Sequence, residues 1–456
     1  MRSTRSLIRI PLLCLLLLPA NSFAQEKSAF KTPFRENIGD DEKAAGLSRF
    51  WSEVKYNFAN FDLVPGLEWD ALYLEYLPRV RATKSTLEYY RVLTELCARL
   101  KDGHTNVVPP AELTDELYAF PDIVTRLVED KVLVVGVLDE KLQQEGVKVG
   151  VEVVEVDGVP VRQYAAERVM PYISASTRQD LDYRTYESSL FDGPAKEPVE
   201  VGFRDAEGRT FKQRLRRLTL KERAERAKLS AEKTPAQPGP RFLRFTVLPG
   251  NIGHLSLLSF GDKKVVEEFE AVYPDILKTD ALVIDVRSNG GGDDSLGFNI
   301  LAHFTDKPFK TSAWKTREYV PTFRAWGRPE GWHAEPAGAR SPQGDRHYLN
   351  PVVLLTGPRT FSAAEDFSVA FDYMKRGKIV GEPTGGSTGQ PLYFDLPGGG
   401  RARVCTKRDT YPDGREFVGV GVQPQVPAHR TVADLRAGRD TVLEVALDEL
   451  RKRLGR

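Results

Sequence analysis

The sequence predicts a multidomain α+β protein, in which a helical region, a β-rich region and an α/β region follow one another. The chain has 456 residues, more than a single hydrophobic core usually organises. Its apolar periodicity is helical near the N-terminus and changes to short valine-rich strands after residue 120. From residue 252 onward strands and helices alternate, which is typical of a mainly parallel sheet covered by helices.

The predicted N-terminal helical domain spans residues 40–105. Leu47 and Phe50 belong to an apolar stripe at helical spacing, and a second stripe extends over residues 87–100. The domain ends in an Asp-Gly-His segment at residues 102–104.

The β-rich domain is predicted over residues 115–218. Lys131 to Val137 reads as a strand, and Asp157-Gly158 is a strong signal for a tight hairpin. Two further strands, Val199 to Phe203 and Thr210 to Leu215, flank a glycine turn. Residues 219–245, rich in charged residues, alanine and proline, are predicted to be a linker.

The last domain is predicted over residues 246–456. Its strands and helices are expected in the order His254–Phe260, Lys263–Leu277, Ala281–Val286, a helix from Ser295, Pro351–Thr356, Ser362–Met374 and Lys378–Gly381. A long segment between Lys307 and Asn350, which holds three tryptophans, is predicted to be irregular. Loops of this length in compact domains are often functional.

The first 24 residues have the parts of a secretory signal peptide. Arginines at positions 2, 5 and 9 precede an apolar run from Ile10 to Pro19, and Ser22-Phe23-Ala24 places small residues at the expected cleavage point. The run is too short to cross a bilayer comfortably. We expect cleavage after Ala24 and export to a periplasmic or extracellular location, with no membrane span afterwards. The alternative is an uncleaved anchor.

Composition excludes several classes of protein. The formal net charge is +1, which provides no electrostatic surface for nucleic acid and no polybasic membrane patch. Beyond the signal peptide only Cys97 and Cys405 remain, too few for a disulfide scaffold or a thiolate zinc site. We expect one buried free cysteine in each of two domains, although an oxidising compartment would also permit a pair. No cofactor or metal is expected.

Ser362 is the first candidate for chemistry. The sequence Leu355-Thr356-Gly357-Pro358-Arg359-Thr360-Phe361-Ser362 predicts a buried strand, a turn and a serine that opens a helix. The hydroxyl would then lie beside the N–H groups of the first helical turn, which suit a developing oxyanion. The alternative is a helix-capping serine, since Ser362 and Glu365 also fit a capping box.

Two other segments complement Ser362. A triple glycine at residues 290–292 directly follows the strand that ends at Val286, so backbone N–H groups there can approach a ligand closely. Its alternative interpretation is a plain turn. His104 follows a glycine at the end of the helical domain and is a candidate for the base that a serine nucleophile needs, although a lone histidine is more often structural.

Together these segments resemble the tail-specific (carboxyl-terminal-processing) serine protease family, in particular its tricorn-like branch. The resemblance covers nearly all of the chain after residue 24. It includes residues 146–161, similar to the family's PDZ segment, and in the last domain residues 284–292, 360–365, 380–384 and 419–424. It implies a PDZ-like middle domain and a crotonase-like peptidase core.

The resemblance also implies roles for individual residues. Ser362 matches the nucleophile, and the amides of Ala363 and of Gly291 or Gly292 match the oxyanion hole. One branch of the family takes its base from a lysine where this chain has Ser387, whereas the tricorn-like branch takes it from a histidine at the position of His104. The lysine is absent where the histidine is present, so a Ser-His pair is expected.

The third catalytic residue is predicted to be Glu416. The tricorn-like branch places a glutamate near position 418, where this chain has Val418. A buried carboxylate would orient the histidine and stabilise its cation. Asp409, Asp413 and Glu382 are the alternatives.

The sequence therefore predicts an exported serine endopeptidase that cleaves peptides or protein tails through an acyl-enzyme. Two other hypotheses remain open at this point. One is a non-catalytic relative that binds peptides or lipids, and the other is a serine esterase.

Overall fold

The computed structural model describes residues 28–233 and 242–456. The predicted signal peptide lies outside the described residues. The chain has a mixed α/β fold with several sheets, as the predicted α+β class requires.

Three helices form the N-terminal part: α1 (Asp40–Asn57), α2 (Trp69–Ala82) and α3 (Thr86–Ala98). The stripe that contains Leu47 and Phe50 is buried on α1, as predicted. A short strand, β1 (Asn106–Val108), and a single helical turn, α4 (Thr114–Leu117), lead out of this part.

The middle part is an antiparallel sheet with the strand order β2-β3-β4-β6-β7. Its elements are β2 (Ile123–Val128), β3 (Lys131–Val137), α5 (Glu140–Gln144), β4 (Glu152–Val156), β5 (Val159–Pro160), α6 (Val161–Tyr164), α7 (Arg178–Tyr183), β6 (Val199–Arg204) and β7 (Thr210–Leu215). β5 pairs with β4 across the predicted hairpin, where Asp157 and Gly158 have φ of 48° and 76°. Two positive φ values are what a two-residue type I′ turn requires.

The first part of the predicted linker forms a helix, α8 (Leu220–Lys233). Its first turn is capped reciprocally, because the Thr219 N–H donates to Glu222 and the Glu222 N–H donates to Thr219 Oγ1. Arg223 and Arg226 form ion pairs with the buried Asp122. The alanines and charges that suggested a linker therefore form a helix docked on the middle part.

The last part is built on a six-stranded sheet of order β20-β16-β15-β10-β9-β8, parallel except for the β8–β9 pair. Its elements are β8 (Leu243–Leu248), β9 (Ile252–Leu257), α9 (Lys264–Ile276), β10 (Ala281–Asp285), α10 (Asp294–Leu301), β11 (Phe309–Lys310), β12 (Ala313–Glu318), α11 (Pro321–Ala325), β13 (Gly331–Glu335), β14 (Ala339–Arg340), β15 (Val352–Thr356), α12 (Ala363–Tyr373), β16 (Lys378–Gly381), β17 (Pro391–Asp395), β18 (Arg401–Cys405), β19 (Lys407–Thr410), β20 (Val426–Pro427), α13 (Val432–Arg436) and α14 (Thr441–Leu454).

Both faces of this sheet are covered. Helices α9, α10 and α12 pack on one face and α14 packs on the other. All residues of β10 and β15 are buried, which explains why their sequences are uninterrupted apolar runs rather than alternating ones.

The segment between Lys307 and Asn350 is ordered into strands, so the expectation of an irregular loop is corrected. Strands β12 and β13 form a hairpin with α11 at its tip, and β12 also pairs with β19. The hairpin escaped prediction because its residues are largely exposed and carry no clear alternation.

Strands β17 and β18 leave the core and pack against the N-terminal helices. β18 pairs with β1, and Phe394 and Val404 join the helices in one hydrophobic cluster. Cys97 and Cys405 are both free and buried, as expected. Both cysteines belong to this one cluster rather than to two separate domains, because strands β17 and β18 contribute residues to it.

No helix within residues 28–233 or 242–456 is both long enough and apolar enough to cross a membrane.

Candidate active site

The turn between β15 and α12 holds Ser362 in a strained backbone conformation, with φ of 56° and ψ of −129°. A residue other than glycine rarely adopts a positive φ unless its surroundings enforce it. Here the Thr360 hydroxyl donates to Val286 O at 2.9 Å, and the Phe361 N–H donates to Asn289 O at 3.1 Å. The loop after β10 thus fixes the turn that presents the serine.

His104 lies against Ser362, with 3.0 Å between Nε2 and Oγ. The two residues are 258 positions apart in sequence. The imidazole stacks on Phe361, with ring centroids 4.8 Å apart and ring planes 9° apart. The predicted serine and histidine are therefore brought together at hydrogen-bond distance.

Burial lowers the pKa of His104 to about 3, and the positive charges of Arg403, Arg184 and Lys407 contribute to the decrease. The ring is therefore neutral at neutral pH. A neutral imidazole carries one N–H and one free lone pair, so Nε2 can accept the proton of Ser362 when Nδ1 carries the hydrogen.

Nδ1 lies 2.9 Å from Ser387 Oγ. In the tautomer that leaves Nε2 free, the Nδ1–H donates to this hydroxyl. Ser387 is fully buried and also touches the nucleophile's backbone, since the Ser362 N–H donates to Ser387 O at 3.2 Å. Ser387 thus occupies the position at the imidazole where a triad carboxylate would stand.

Glu365 lies beneath this arrangement and is fully buried. Its carboxylate accepts from Thr384 Oγ1 at 2.5 Å and from the N–H groups of Gly386, Ser387 and Ser362 at 2.7, 2.9 and 3.2 Å. Burial raises the pKa of Glu365 to about 8 against the opposing effect of these donors. Glu365 thereby fixes the 384–387 loop to the start of α12. The bond that it accepts from the Ser362 N–H is one half of the predicted capping box.

The segment that carries His104 is anchored by Asp102. This buried carboxylate accepts from the His104 N–H at 3.0 Å, from Thr105 Oγ1 at 2.8 Å and from Asn60 Nδ2 at 2.9 Å. The Cys405 N–H in turn donates to Thr105 Oγ1 at 3.0 Å. His104 is therefore held by the junction between the N-terminal helices and β18.

The triple glycine packs directly against Ser362. A Cβ on Gly291 would fall 2.7 Å from Ser362 Cβ and 3.0 Å from Ala363 N, so only glycine fits there. The Gly291 N–H donates to Asn289 Oδ1 at 2.9 Å. Within the described part of the chain, the N–H groups of Gly292 and Ala363 have no acceptor. Of the three amides predicted for the oxyanion hole, these two are therefore free to donate, and Gly291 supplies the close approach. The Gly290 N–H likewise has no acceptor among the described residues.

The predicted third residue is not at the site. Glu416 is partly exposed and pairs with Lys315 at 2.7 Å. Of the alternatives, Asp409 pairs with Lys407 and Asp413 pairs with Arg415, and Glu382 borders a separate cavity beside Arg287. In the described ranges the ring nitrogens of His104 bond only to Ser362 and Ser387. The sequence points to position 387 only because one branch of the family has its lysine there, and the contact of Ser387 with His104 depends on how distant parts of the chain dock.

The middle part supplies residues that the sequence did not predict. Gly103 N–H donates to Ser176 Oγ at 3.0 Å, Thr177 Oγ1 donates to Gly385 O at 2.9 Å, and Gln179 Nε2 donates to Thr384 O at 2.9 Å. The segment before and within α7 therefore connects the histidine loop with the Ser387 loop.

A cavity of about 420 Å³ opens beside the turn that carries Ser362. Phe361 and Gly290 line it, whereas Ser362 and His104 are not among its lining residues. We call it the active-site cavity. Its walls come from all three parts of the chain and include Thr94, Tyr172, Ile173, Gly290, Arg359 and Phe361.

Comparisons with known proteins identify a matching family model and similar proteins. Residues 251–428 match the sequence model of peptidase family S41. The C-terminal processing peptidase, chloroplastic, of Tetradesmus obliquus is 29% identical over 145 residues, which are 32% of this chain and 28% of that protein. The chain thus spans just over a quarter of the length of this relative.

Solved structures share the fold. Mature CPAF complexed with lactacystin superposes with a TM-score of 0.68 at 16% identity, covering 91% of this chain and 98% of that one. Mature CPAF gives a TM-score of 0.67 at 17% identity, covering 87% and 94%. The match to peptidase family S41 over residues 251–428 confirms the predicted resemblance.

Proposed function

We propose that this chain, whose residues 251–428 match peptidase family S41, cleaves peptide bonds with Ser362 as nucleophile and His104 as base. The observation that carries the proposal is the 3.0 Å approach of Nε2 to Oγ, made by a neutral imidazole whose other nitrogen is already bonded. A serine hydroxyl becomes a nucleophile at neutral pH when such a base is adjacent.

The proposed reaction has two halves. Ser362 Oγ attacks the carbonyl carbon of the scissile bond while His104 takes its proton, and the N–H groups of Ala363 and Gly292 stabilise the oxyanion. His104 then gives the proton to the leaving amine, which departs from an acyl-enzyme. Water, deprotonated by His104, releases the acyl group and restores Ser362.

The decisive experiment is labelling of the folded protein with a fluorophosphonate, followed by mapping of the modified residue. We expect label on Ser362 and a loss of at least about 10³-fold in labelling rate in His104→Ala, because the hydroxyl then lacks its base. Ser288→Ala and His333→Ala serve as matched controls, since both residues are exposed and lie outside the pair.

If the folded protein takes no label, Ser362 is not an activated nucleophile, and the binding hypothesis is favoured. Cleavage of esters but not of matched peptides would favour the esterase.

The middle sheet supports a PDZ-like assignment in this proposal. It is antiparallel, with β2 and β7 at its edges, and an extended peptide can add to such an edge. The connections of α7 to the Gly385 and Thr384 carbonyls would couple this part to the site.

We also propose that the protein is exported, on the basis of its first 24 residues. Protein purified from its natural source would then begin at Gln25. An N-terminus at Met1 would argue against cleavage.

A further inference from the structure

A second cavity, of about 130 Å³, continues from the active-site cavity. The two cavities share five lining residues, namely Thr94, Tyr118, Tyr172, Ile173 and Ser189. The two cavities are therefore adjacent, so an extended chain bound beside Phe361 in the first lies next to the second.

The second cavity, which we call the tyrosine cavity, is largely aromatic and aliphatic. Tyr118, Tyr164 and Tyr172 line it together with Val169 and Ile173. Tyr164 and Val169 are buried, and Tyr118 is 39% exposed. The cavity thus has an apolar base and an open aromatic rim.

The charged groups around the tyrosine cavity do not favour a charged ligand. Arg91 is stacked over the Tyr172 ring, 4.7 Å from its centroid, so its cation is already engaged with an aromatic face. Asp192 also lines the cavity, and burial raises the pKa of this carboxyl to about 7. Arg168 is the third charged lining residue, and it is exposed, so its cation stays in contact with water. An apolar group can therefore enter without separating an ion pair.

The size of the tyrosine cavity sets the size of its ligand. An apolar protein cavity of about 150 Å³ admits one benzene molecule. A volume of about 130 Å³ therefore suits a single ring or a branched aliphatic group, and it is too small for two side chains.

We propose that the tyrosine cavity is a specificity subsite that receives one bulky apolar side chain of the peptide substrate, at a fixed position relative to the scissile bond. This inference rests on the proposed peptidase function. It concerns a side chain within the substrate, so recognition does not require a free C-terminal carboxylate.

The test is cleavage of a mixed peptide library, with products identified by mass spectrometry. The wild-type chain should enrich Phe, Tyr, Leu or Ile at one fixed position from the cut, equally in peptides with free and amidated C-termini. Tyr172→Ala and Ile173→Glu should abolish that enrichment and raise KM for the preferred peptides about tenfold or more. Their kcat should change much less, because neither residue contacts Ser362 or His104.

Two controls separate a lost subsite from a lost fold. Tyr319→Ala removes a tyrosine that is 41% exposed on the β12 side of the molecule and should leave the enrichment unchanged. Fluorophosphonate labelling of Ser362 should persist in both cavity variants. If either variant fails to fold, Tyr118→Ala tests the same cavity from its exposed rim.

The results that would overturn the subsite differ from those that would overturn the peptidase function. Cleavage without positional enrichment, or enrichment that survives both cavity variants, would overturn the subsite and leave the peptidase intact. If no peptide is cleaved, binding of apolar and alanine-substituted peptides to Ser362→Ala decides the subsite separately. Equal binding of the two peptides would then overturn it.

Discussion

At the scale of single residues, the unusual feature is a hydroxyl at the second nitrogen of His104. A carboxylate there would fix the tautomer and also stabilise the imidazolium that forms during attack. Ser387 Oγ, at 2.9 Å, can fix the tautomer but has no negative charge to offer. Arg403, Arg184 and Lys407 further disfavour the cation. Ser387 is therefore a positioning residue for a weakly basic histidine.

Replacing Ser387 should affect kcat rather than KM. We expect Ser387→Ala to lower kcat about tenfold to a hundredfold, less than the roughly 10⁴-fold loss that follows from disabling a triad aspartate, because a neutral partner contributes less charge stabilisation. Ser387→Asp should raise the pKa of His104 and move the acid limb of kcat/KM to higher pH. The measurement is the pH profile of peptide cleavage for both variants.

Ser368→Ala provides the matched control, since it removes a buried hydroxyl on α12 that donates to Ala364 O and does not touch His104. If Ser387 has only a structural role, kcat/KM will fall at the same acidic pH in Ser387→Asp as in the wild type.

At the scale of elements, the loop between β10 and α10 and the turn between β15 and α12 function as one unit. Both lie at the carboxyl ends of adjacent parallel strands, the edge at which α/β sheets bind their ligands. Gly291 fits against Ser362 and Phe361 with no room for a side chain. Any displacement of this loop is therefore transmitted to the nucleophile.

Gly291→Ala should misplace Ser362. The added Cβ would lie 2.7 Å from Ser362 Cβ, at a φ of +96°, and displacements on the order of 1 Å commonly cost about 10² in rate. We expect at least that loss in kcat/KM and a destabilisation of about 2–3 kcal/mol, measured by kinetics and chemical denaturation.

Gly414→Ala separates backbone strain from packing. Gly414 has a similar φ of +86° and open space around it, so strain alone should cost about 1–2 kcal/mol with little change in rate. Equal activity losses in the two variants would contradict the packing argument.

The helices and strands also show how much of the fold can be predicted from the sequence. Buried strands such as β10 and β15 were predicted because residues covered on both faces leave an apolar run. The β4–β5 hairpin was predicted because Asp157-Gly158 is a dipeptide that readily adopts the positive φ values of a tight turn. The β12–β13 hairpin and helix α8 were missed, since their stability comes from contacts with distant residues, such as that of Arg223 with Asp122, which local patterns do not encode.

At the scale of the whole molecule, the site draws on all three parts of the chain. Ser362 follows a strand of the mainly parallel sheet, His104 comes from the N-terminal part, and the middle part contacts the loops of both. Ser362 and His104 were predicted because each lies in a recognisable motif. Ser387 could not be assigned its role, because its contact with His104 spans 283 positions and depends on how the parts dock.

Burial of neutral His104 links the stability of the whole fold to pH. Its pKa is about 3 in the folded chain, against 6.5 for a histidine in an unfolded chain, so the unfolded chain binds the additional proton first as pH falls. The stabilisation is complete above pH 6.5 and is lost progressively as pH falls towards 3, at up to about 1.4 kcal/mol per pH unit. We subtract the free energy of unfolding of His104→Gln from that of the wild type. This difference should decrease as the pH is lowered from about 7.5 to about 4.5.

Urea denaturation of both proteins across this range provides the measurement. Taking the difference between the two proteins removes the contribution of the other titrating groups to the pH dependence of stability. Glu365 is one of these groups, and its raised pKa makes stability fall as pH rises. A difference that does not change with pH would mean that His104 is protonated equally in the folded and unfolded chains.

The pairing of β1 with β18 has a consequence for the order in which the protein is made. A ribosome completes His104 early and Ser362 258 residues later, and strand Arg401–Cys405, which holds the histidine segment, comes later still. Until that strand emerges, the helices lack part of their core and the histidine segment lacks the Cys405 N–H that donates to Thr105. In the proposed mechanism, translation therefore keeps the serine latent until residues 401–405 have been made.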